Sequence, residues 1–489
     1  MKKLFARIAM SCALVPALLT GTSRAAVNLP VHKEVLDNGL TVLLYPNKQA
    51  PTVSFRLFYV TGSVHEVPGK SGLAHILEHE LFKGTKKVGI SDSVADVRFM
   101  ATQDSLQALI RSARLPDDTA RVKELTVEHD SVLNEHRTIF IKDELWGAYQ
   151  AAGGTGLNAF TSDLVTAYTV TLPKNKTELF MWLESDRMQN AVLREFYSER
   201  SVVREERRMR YDDRPTGRFY ETLNSMIYEA FPYRVPTIGW PSDIENLTRE
   251  QAEEHYRKYY KPRNAILVMA GDLDTLETMK LVKKYFAPIP AGEAFPPLTV
   301  RDPEQAGEKR LTVKRKDAPN LYTLVFKTPA VGDSTLYALD IAEGVLNGRS
   351  GRLYKRLVEE EKIAVGVSAS NSPNKYISEF SVRVNLRPDA NREKVEKIVW
   401  EELEKLKSQQ VSEREFQKVK NRAYAGLVRS LTDMENVATM LGWYEVYGDY
   451  RIFLNWADEL NKVTAADVQA AAQKTFVREK SVAGFLLKK

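Results

Sequence analysis

The chain has 489 residues, 43% apolar and 27% charged, the composition of a folded globular protein with too much length for one ordinary core. Lys2, Lys3, Arg7 and Arg24 contribute four of its net charge of +6, leaving +2 for the remainder, so a basic nucleic-acid surface is not indicated. Cys12, the single cysteine, lies in that same opening segment; past it there is no disulfide framework and no thiolate chemistry, and any metal has to be held by His and carboxylate.

The opening residues read MKKLFARIAMSCALVPALLTGTSRAAVNLP. A cationic start, an apolar run from Ile8 to Leu19 and small residues before Ala26 make residues 1–25 an export signal, and the run is too short for a comfortable membrane span. The expectation is an exported chain, periplasmic in location, with no stable membrane span.

APTVSFRLFYVTGS (50–63) is strand-like, rich in β-branched and aromatic residues. It leads into GLAHILEHELFKG (72–84), a helix apolar on several sides that nevertheless carries His75, Glu78 and His79. Buried ionisable groups are costly unless something pairs or coordinates them. His75 and His79 are four apart and project from one face, the reach needed to hold one metal ion. Two imidazoles with a carboxylate as third ligand and water in the fourth position suit Zn²⁺, one ion per chain. Glu78, one residue before the second histidine, is placed to take a proton from that water, in the inverted zincin pattern H-x-x-E-H. The alternative, a core helix with two satisfied histidines, leaves the joint occurrence of all three residues unexplained.

Residues about 92–147 read as charged helix, a surface hairpin or lid. His129 and His136 lie seven apart there, and their neighbours Glu128, Asp130, Asn134, Glu135 and Arg137 describe a solvated face rather than a metal site. GGTGLNAFTSDLVTAY (153–168) alternates like a strand, and SERSVVREERRMR (198–210) is a charged helix whose Arg204, Arg207, Arg208 and Arg210 read as a solvated face. The Pro-rich stretch 288–307 is the natural linker. Beyond it the chain repeats itself: APNLYTLVFKTPAVGD, VSEREFQKVKNRAYAGLVR and VTAADVQAAAQKTFVREKSVAGFLL parallel first-half segments in the same order, and only the 92–147 insert has no counterpart. The expected fold is α+β: two homologous domains, 26–287 with the insert and 308–489 without a metal site, each a mostly antiparallel sheet covered by helices.

HILEH followed by LFKGT, then GGTGLNAFTSDLVTAY, then SERSVVREERRMR, together with the duplicated halves, resembles the pitrilysin/insulinase family of zinc metallopeptidases, the inverzincins. Within the family it is similar to the two-domain subunits, and among them to the zinc-bearing subunit of heterodimeric bacterial members and of the mitochondrial processing peptidase. The resemblance implies a third zinc ligand at Glu206, with Glu199 as the acidic residue two turns earlier and Glu205 as the alternative. It also implies that Asn158 and Ala159 open an edge strand that receives the substrate backbone. In the second half, Asp340 and Gly344 stand at the histidine positions, and Val358 and Val365 stand where the family carries an Arg and a Tyr that stabilise the oxyanion. A valine donates no hydrogen bond. The resemblance therefore implies a peptidase of short or unfolded peptides that is the catalytic member of a heterodimer, its homologous partner subunit supplying the Arg/Tyr pair. The alternative is a non-catalytic zinc-binding scaffold or peptide-binding subunit.

Overall fold

The computed structural model describes residues 29–489, so the export signal read over residues 1–25 lies outside the described residues. β1 (His32–Val35), β2 (Thr41–Pro46), β3 (Thr52–Tyr59), β4 (Thr155–Thr161), β5 (Thr166–Pro173) and β6 (Ala265–Gly271) form one sheet, in the order β1-β2-β6-β3-β5-β4. β7 (Lys309–Arg315), β8 (Leu321–Thr328), β9 (Ala364–Ser372), β10 (Ser378–Leu386) and β11 (Ser481–Lys488) form the other, in the order β7-β11-β8-β10-β9. Without β1 the two orders are the same. Each has one parallel pair, β2 with β6 and β7 with β11, and each ends in an antiparallel hairpin strand, β4 or β9, at the opposite edge. The chain is thus α+β with two homologous halves. Between Phe286 and Lys309 it forms no helix or strand, as a Pro-rich connection should.

Ten α-helices of the first half are described, the first six being α1 (Leu73–Glu80), α2 (Ser93–Arg114), α3 (Thr119–Arg137), α4 (Glu144–Ala151), α5 (Thr177–Asn190) and α6 (Phe196–Arg207). Each sheet has its own apolar core, and a third core joins the halves. Its geometry is reciprocal. The first-half helix Pro215–Ile227 lays Phe219 and Leu223 over Gly484 of β11, while the second-half helix Met434–Tyr447 lays Gly442 over Phe58 of β3; a Cβ on either glycine would collide with those side chains. The two halves therefore hold one another by close backbone approach, which leaves little room for relative sliding.

α2 and α3 pack as an antiparallel pair with a small core of Leu106, Ile110 and Leu125. His129 and His136 do not lie on a solvated face. Both are buried: His136 Nε2 meets Asp96 Oδ1 at 2.8 Å and its Nδ1 meets Gln103 Nε2 at 2.9 Å, while His129 packs edge-on to the Tyr197 ring. Charged neighbours marked the outer face of α3, but the sevenfold spacing of the imidazoles tracks its inner one.

Candidate metal centre and peptide edge

α1 is threaded through the core, with Leu73, Ala74, Ile76 and Leu77 all buried. It starts at Gly72, whose φ of +95° and close approach to the Ile238 carbonyl exclude a side chain. No N-cap side chain satisfies the first amides there. Glu66 does so instead, its two oxygens accepting from the Gly72 and Ala74 N–H groups at 2.8 Å each. Burial nevertheless pushes the Glu66 carboxyl up to about 8.

The face of α1 that carries the histidines looks onto α6. His75 Nε2 and His79 Nε2 converge on a single oxygen, Glu206 Oε2, at 3.8 and 3.6 Å, and one ligand atom from each of the three residues lies within 4.8 Å of the others. Those separations are too long for hydrogen bonds. They are close to the spacing of about 3.4 Å between donors that share a tetrahedral zinc with bonds of about 2.1 Å. Burial pushes His75 down to about 3, with the charges of His79 and Arg210 acting in the same direction, so His75 is held in the neutral form that ligates. Desolvation acts downward on His79 too, but Glu199 outweighs it by its hydrogen bond and charge, with Glu78 and Glu206 adding, and the net shift is upward. Glu199 Oε2 meets His79 Nδ1 at 3.2 Å and Glu199 Oε1 meets Lys83 Nζ at 2.7 Å. A carboxylate on Nδ1 fixes the tautomer and leaves Nε2 free, the usual support for a metal-binding histidine. The donor set and its spacing fit zinc.

Glu205 is turned away, half-exposed and paired with Arg208. Glu78 projects beside the cluster toward β4, where Thr161 donates a 2.6 Å hydrogen bond to its Oε2. Burial raises the Glu78 carboxyl, and the Thr161 bond opposes the shift. β4 is the outer strand and, among the described residues, pairs only with β5. Asn158 is exposed and Ala159 half-buried on it. An outer strand ending beside Glu78 leaves main-chain groups free for an added strand.

In the second half Asp340 is half-buried and accepts from Asn371 Nδ2 at 2.7 Å and Trp456 Nε1 at 2.9 Å. Val358 packs against the second core and Val365 stands 62% exposed on β9. Several residues at the first-half site escaped the sequence reading. Thr161 lies inside the NAFTS segment but was not singled out. Of the arginines read as a solvated face, Arg207 does not belong to one, being buried and paired with Glu221, while Arg210 is exposed and still reaches Glu206. Only the i,i+4 spacing of Glu206 and Arg210 could have signalled the second pair.

Comparison with known proteins agrees with this geometry. A family model described as insulinase (peptidase family M16) matches residues 41–97, and one described as the peptidase M16 inactive domain matches residues 246–423. The chain is 27% identical over 477 residues to the zinc protease PqqE of Helicobacter pylori, covering 96% of this chain and 95% of that one. To the uncharacterized zinc protease YmxG of Bacillus subtilis it is 23% identical, covering 93% and 97%. Among solved structures, a protease from Helicobacter pylori superposes with a TM-score of 0.79 at 26% identity, over 94% of this chain and 100% of that one. The periplasmic protease PqqL of Escherichia coli shares the fold, with a TM-score of 0.71 at 19% identity over 95% of this chain and 48% of that one. The H-x-x-E-H helix of this chain lies inside the stretch the insulinase model matches, and its likeness to proteins named zinc protease runs almost end to end, so the chain resembles the insulinase (M16) family of peptidases along nearly its whole length.

Proposed function

We propose that this chain is an exported zinc metalloendopeptidase of short or unfolded peptides, and the catalytic subunit of a heterodimer. The observation that carries the reading is the convergence of His75, His79 and Glu206 beside Glu78 and an open strand edge. His75, His79 and Glu206 would hold one zinc ion, which supplies Lewis acidity toward a water and a peptide carbonyl. Glu78 accepts the proton that the attacking water loses and hands it to the leaving amine. Burial raises its proton affinity toward that of a working base, and Thr161 fixes which oxygen faces the reaction. Asn158 and Ala159 offer main-chain groups to an extended substrate, so the peptide lies as an extra strand next to Glu78. Glu199 keeps His79 in its ligating tautomer.

Heterodimer formation is supported by Val358 and Val365, which offer no donor for an oxyanion. Losing one such donor costs on the order of 10²- to 10³-fold in rate, so the isolated chain should be slow until a homologous subunit with the Arg/Tyr pair joins it. The same valines favour the second reading, a non-catalytic zinc-binding or peptide-binding subunit. Export to the periplasm is supported by residues 1–25, and the N-terminus of the mature protein, read by mass spectrometry, should be Ala26. The deciding experiment measures bound metal and peptide cleavage for wild type and Glu78→Gln, alone and with such a partner. Zinc retained and cleavage lost in Glu78→Gln is expected. Full activity in that variant would remove Glu78 as the base, and a zinc-loaded wild type that never cleaves peptide in any mixture would favour the scaffold reading.

A further inference from the structure

The metal cluster has one cationic neighbour that its ligand set does not call for. α6 ends at Arg207, and the chain continues through a π turn, Arg208–Asp212. π turns inside helices are rare and gather at functional sites. This one is held from two sides. Arg204 Nη1 meets Asp212 Oδ2 at 3.1 Å, and Gly217 sits so close to the Arg210 carbonyl that any side chain there would clash. The result is that Arg210, 65% exposed at its side chain, folds back so that its Nη1 lies 2.6 Å from Glu206 Oε1. The other oxygen, Oε2, is the one that faces both histidines.

We propose that Arg210 is a positioning residue for the metal centre: by holding Glu206 Oε1 it turns Oε2, and only Oε2, toward His75 and His79. The inference rests on the metallopeptidase reading above. A free glutamate side chain near the surface has several rotamers, and ordering one of them costs conformational entropy when the ion binds. The Arg210 pair takes that cost before the ion arrives, because the carboxylate is already aimed. The alternative role, a simple background charge, makes the opposite prediction. A guanidinium next to a dication repels it, so removing the charge alone would strengthen metal binding. The sign of the change therefore separates the two roles.

The test is a zinc affinity measured on the full chain by competition with a chromophoric chelator, for wild type, Arg210→Met, Arg210→Lys and Arg208→Met. Arg208→Met loses the same charge from the same turn, but Arg208 pairs with Glu205 and Asp213 rather than Glu206. Expected is a fall of about 10- to 100-fold for Arg210→Met, the range found when a partner of a metal ligand is removed. Arg210→Lys, which keeps a single charged donor, should recover part of it, and Arg208→Met should stay within about twofold of wild type. Binding by Arg210→Met as tight as or tighter than wild type overturns the proposal, as does a loss equal to that of Arg208→Met. A wild type that binds no zinc sinks the metallopeptidase reading and this inference with it. A wild type that binds zinc beside an unchanged Arg210→Met sinks this inference alone.

Discussion

The helix α1 of the first half and the helix Ser334–Leu346 of the second follow corresponding strands and cover corresponding sheets, HILEH in one against DIAEG in the other. Both keep the glutamate, as Glu78 and Glu343. In the first half the two residues around it project into a gap bordered by Glu206 and remain free of short hydrogen bonds at Nε2. In the second, Asp340 is consumed by Asn371 and Trp456, and the space beside Gly344 is filled by the Val419 methyls, where even a Cβ would clash. Burial raises the Asp340 carboxyl to about 6, as expected of a group serving the packing rather than the solvent. One backbone plan thus supports either a converging ligand set or positions taken up by hydrogen bonds and close packing, and what decides is which side chain the facing helix presents, Glu206 in the first half or Val419 in the second.

The largest effect in this comparison should come from the first half. Glu206→Gln should lower zinc affinity by more than about 100-fold, beyond the range for groups that merely support a ligand, while Glu205→Gln should leave bound zinc unchanged. Metal analysis after dialysis reads this directly, and the opposite pattern would move the ligand by one residue. A smaller effect is expected from forcing the second half toward the first. Gly344→His should lose about 1–3 kcal/mol or more in denaturant unfolding through overpacking against Val419, without gaining a second zinc. Stability equal to wild type would mean that the Ser334–Leu346 helix is less tightly packed than its contacts indicate.

A third effect is a pH dependence at the start of α1. Burial lifts Glu66 from an ordinary 4.5 to about 8 in the folded chain. Because the folded value is the higher one, its stabilising contribution is fully present below about pH 4.5 and is lost as pH rises through about 8. Metal-free wild type should therefore lose stability relative to Glu66→Gln between those limits, measured by urea unfolding at several pH values. A difference that stays flat across them would mean that the two amide hydrogen bonds, not burial, govern this carboxyl.

His75, Glu78 and His79 were legible in the sequence because a helix of 3.6 residues per turn places positions four apart on one face, whatever the rest of the chain does. The strand character of 50–63 and 153–168, the duplication and the Pro-rich connection were legible for the same reason: each is a local pattern or a comparison of local patterns. The pairing of Arg210 with Glu206 was not, since an exposed charge on a charged helix reads the same whether or not it meets a partner. Nor was the burial of His129 and His136, because the outer face of α3 supplied the visible charges.

What the sequence by itself determined is the chemistry on offer: two imidazoles and a carboxylate at fixed helical spacing, no thiol beyond Cys12, and a second half without histidines and with valines at positions 358 and 365. Only the tertiary structure decided which carboxylate meets the imidazoles, that Thr161 holds Glu78, that β4 ends its sheet, and that each half lends a helix to the other's sheet. Those outcomes depend on contacts between residues tens to hundreds of positions apart, from His79 with Glu199 to Phe58 with Gly442. Such contacts follow from how complementary surfaces pack at close range, and a periodicity of two or 3.6 residues carries no record of them.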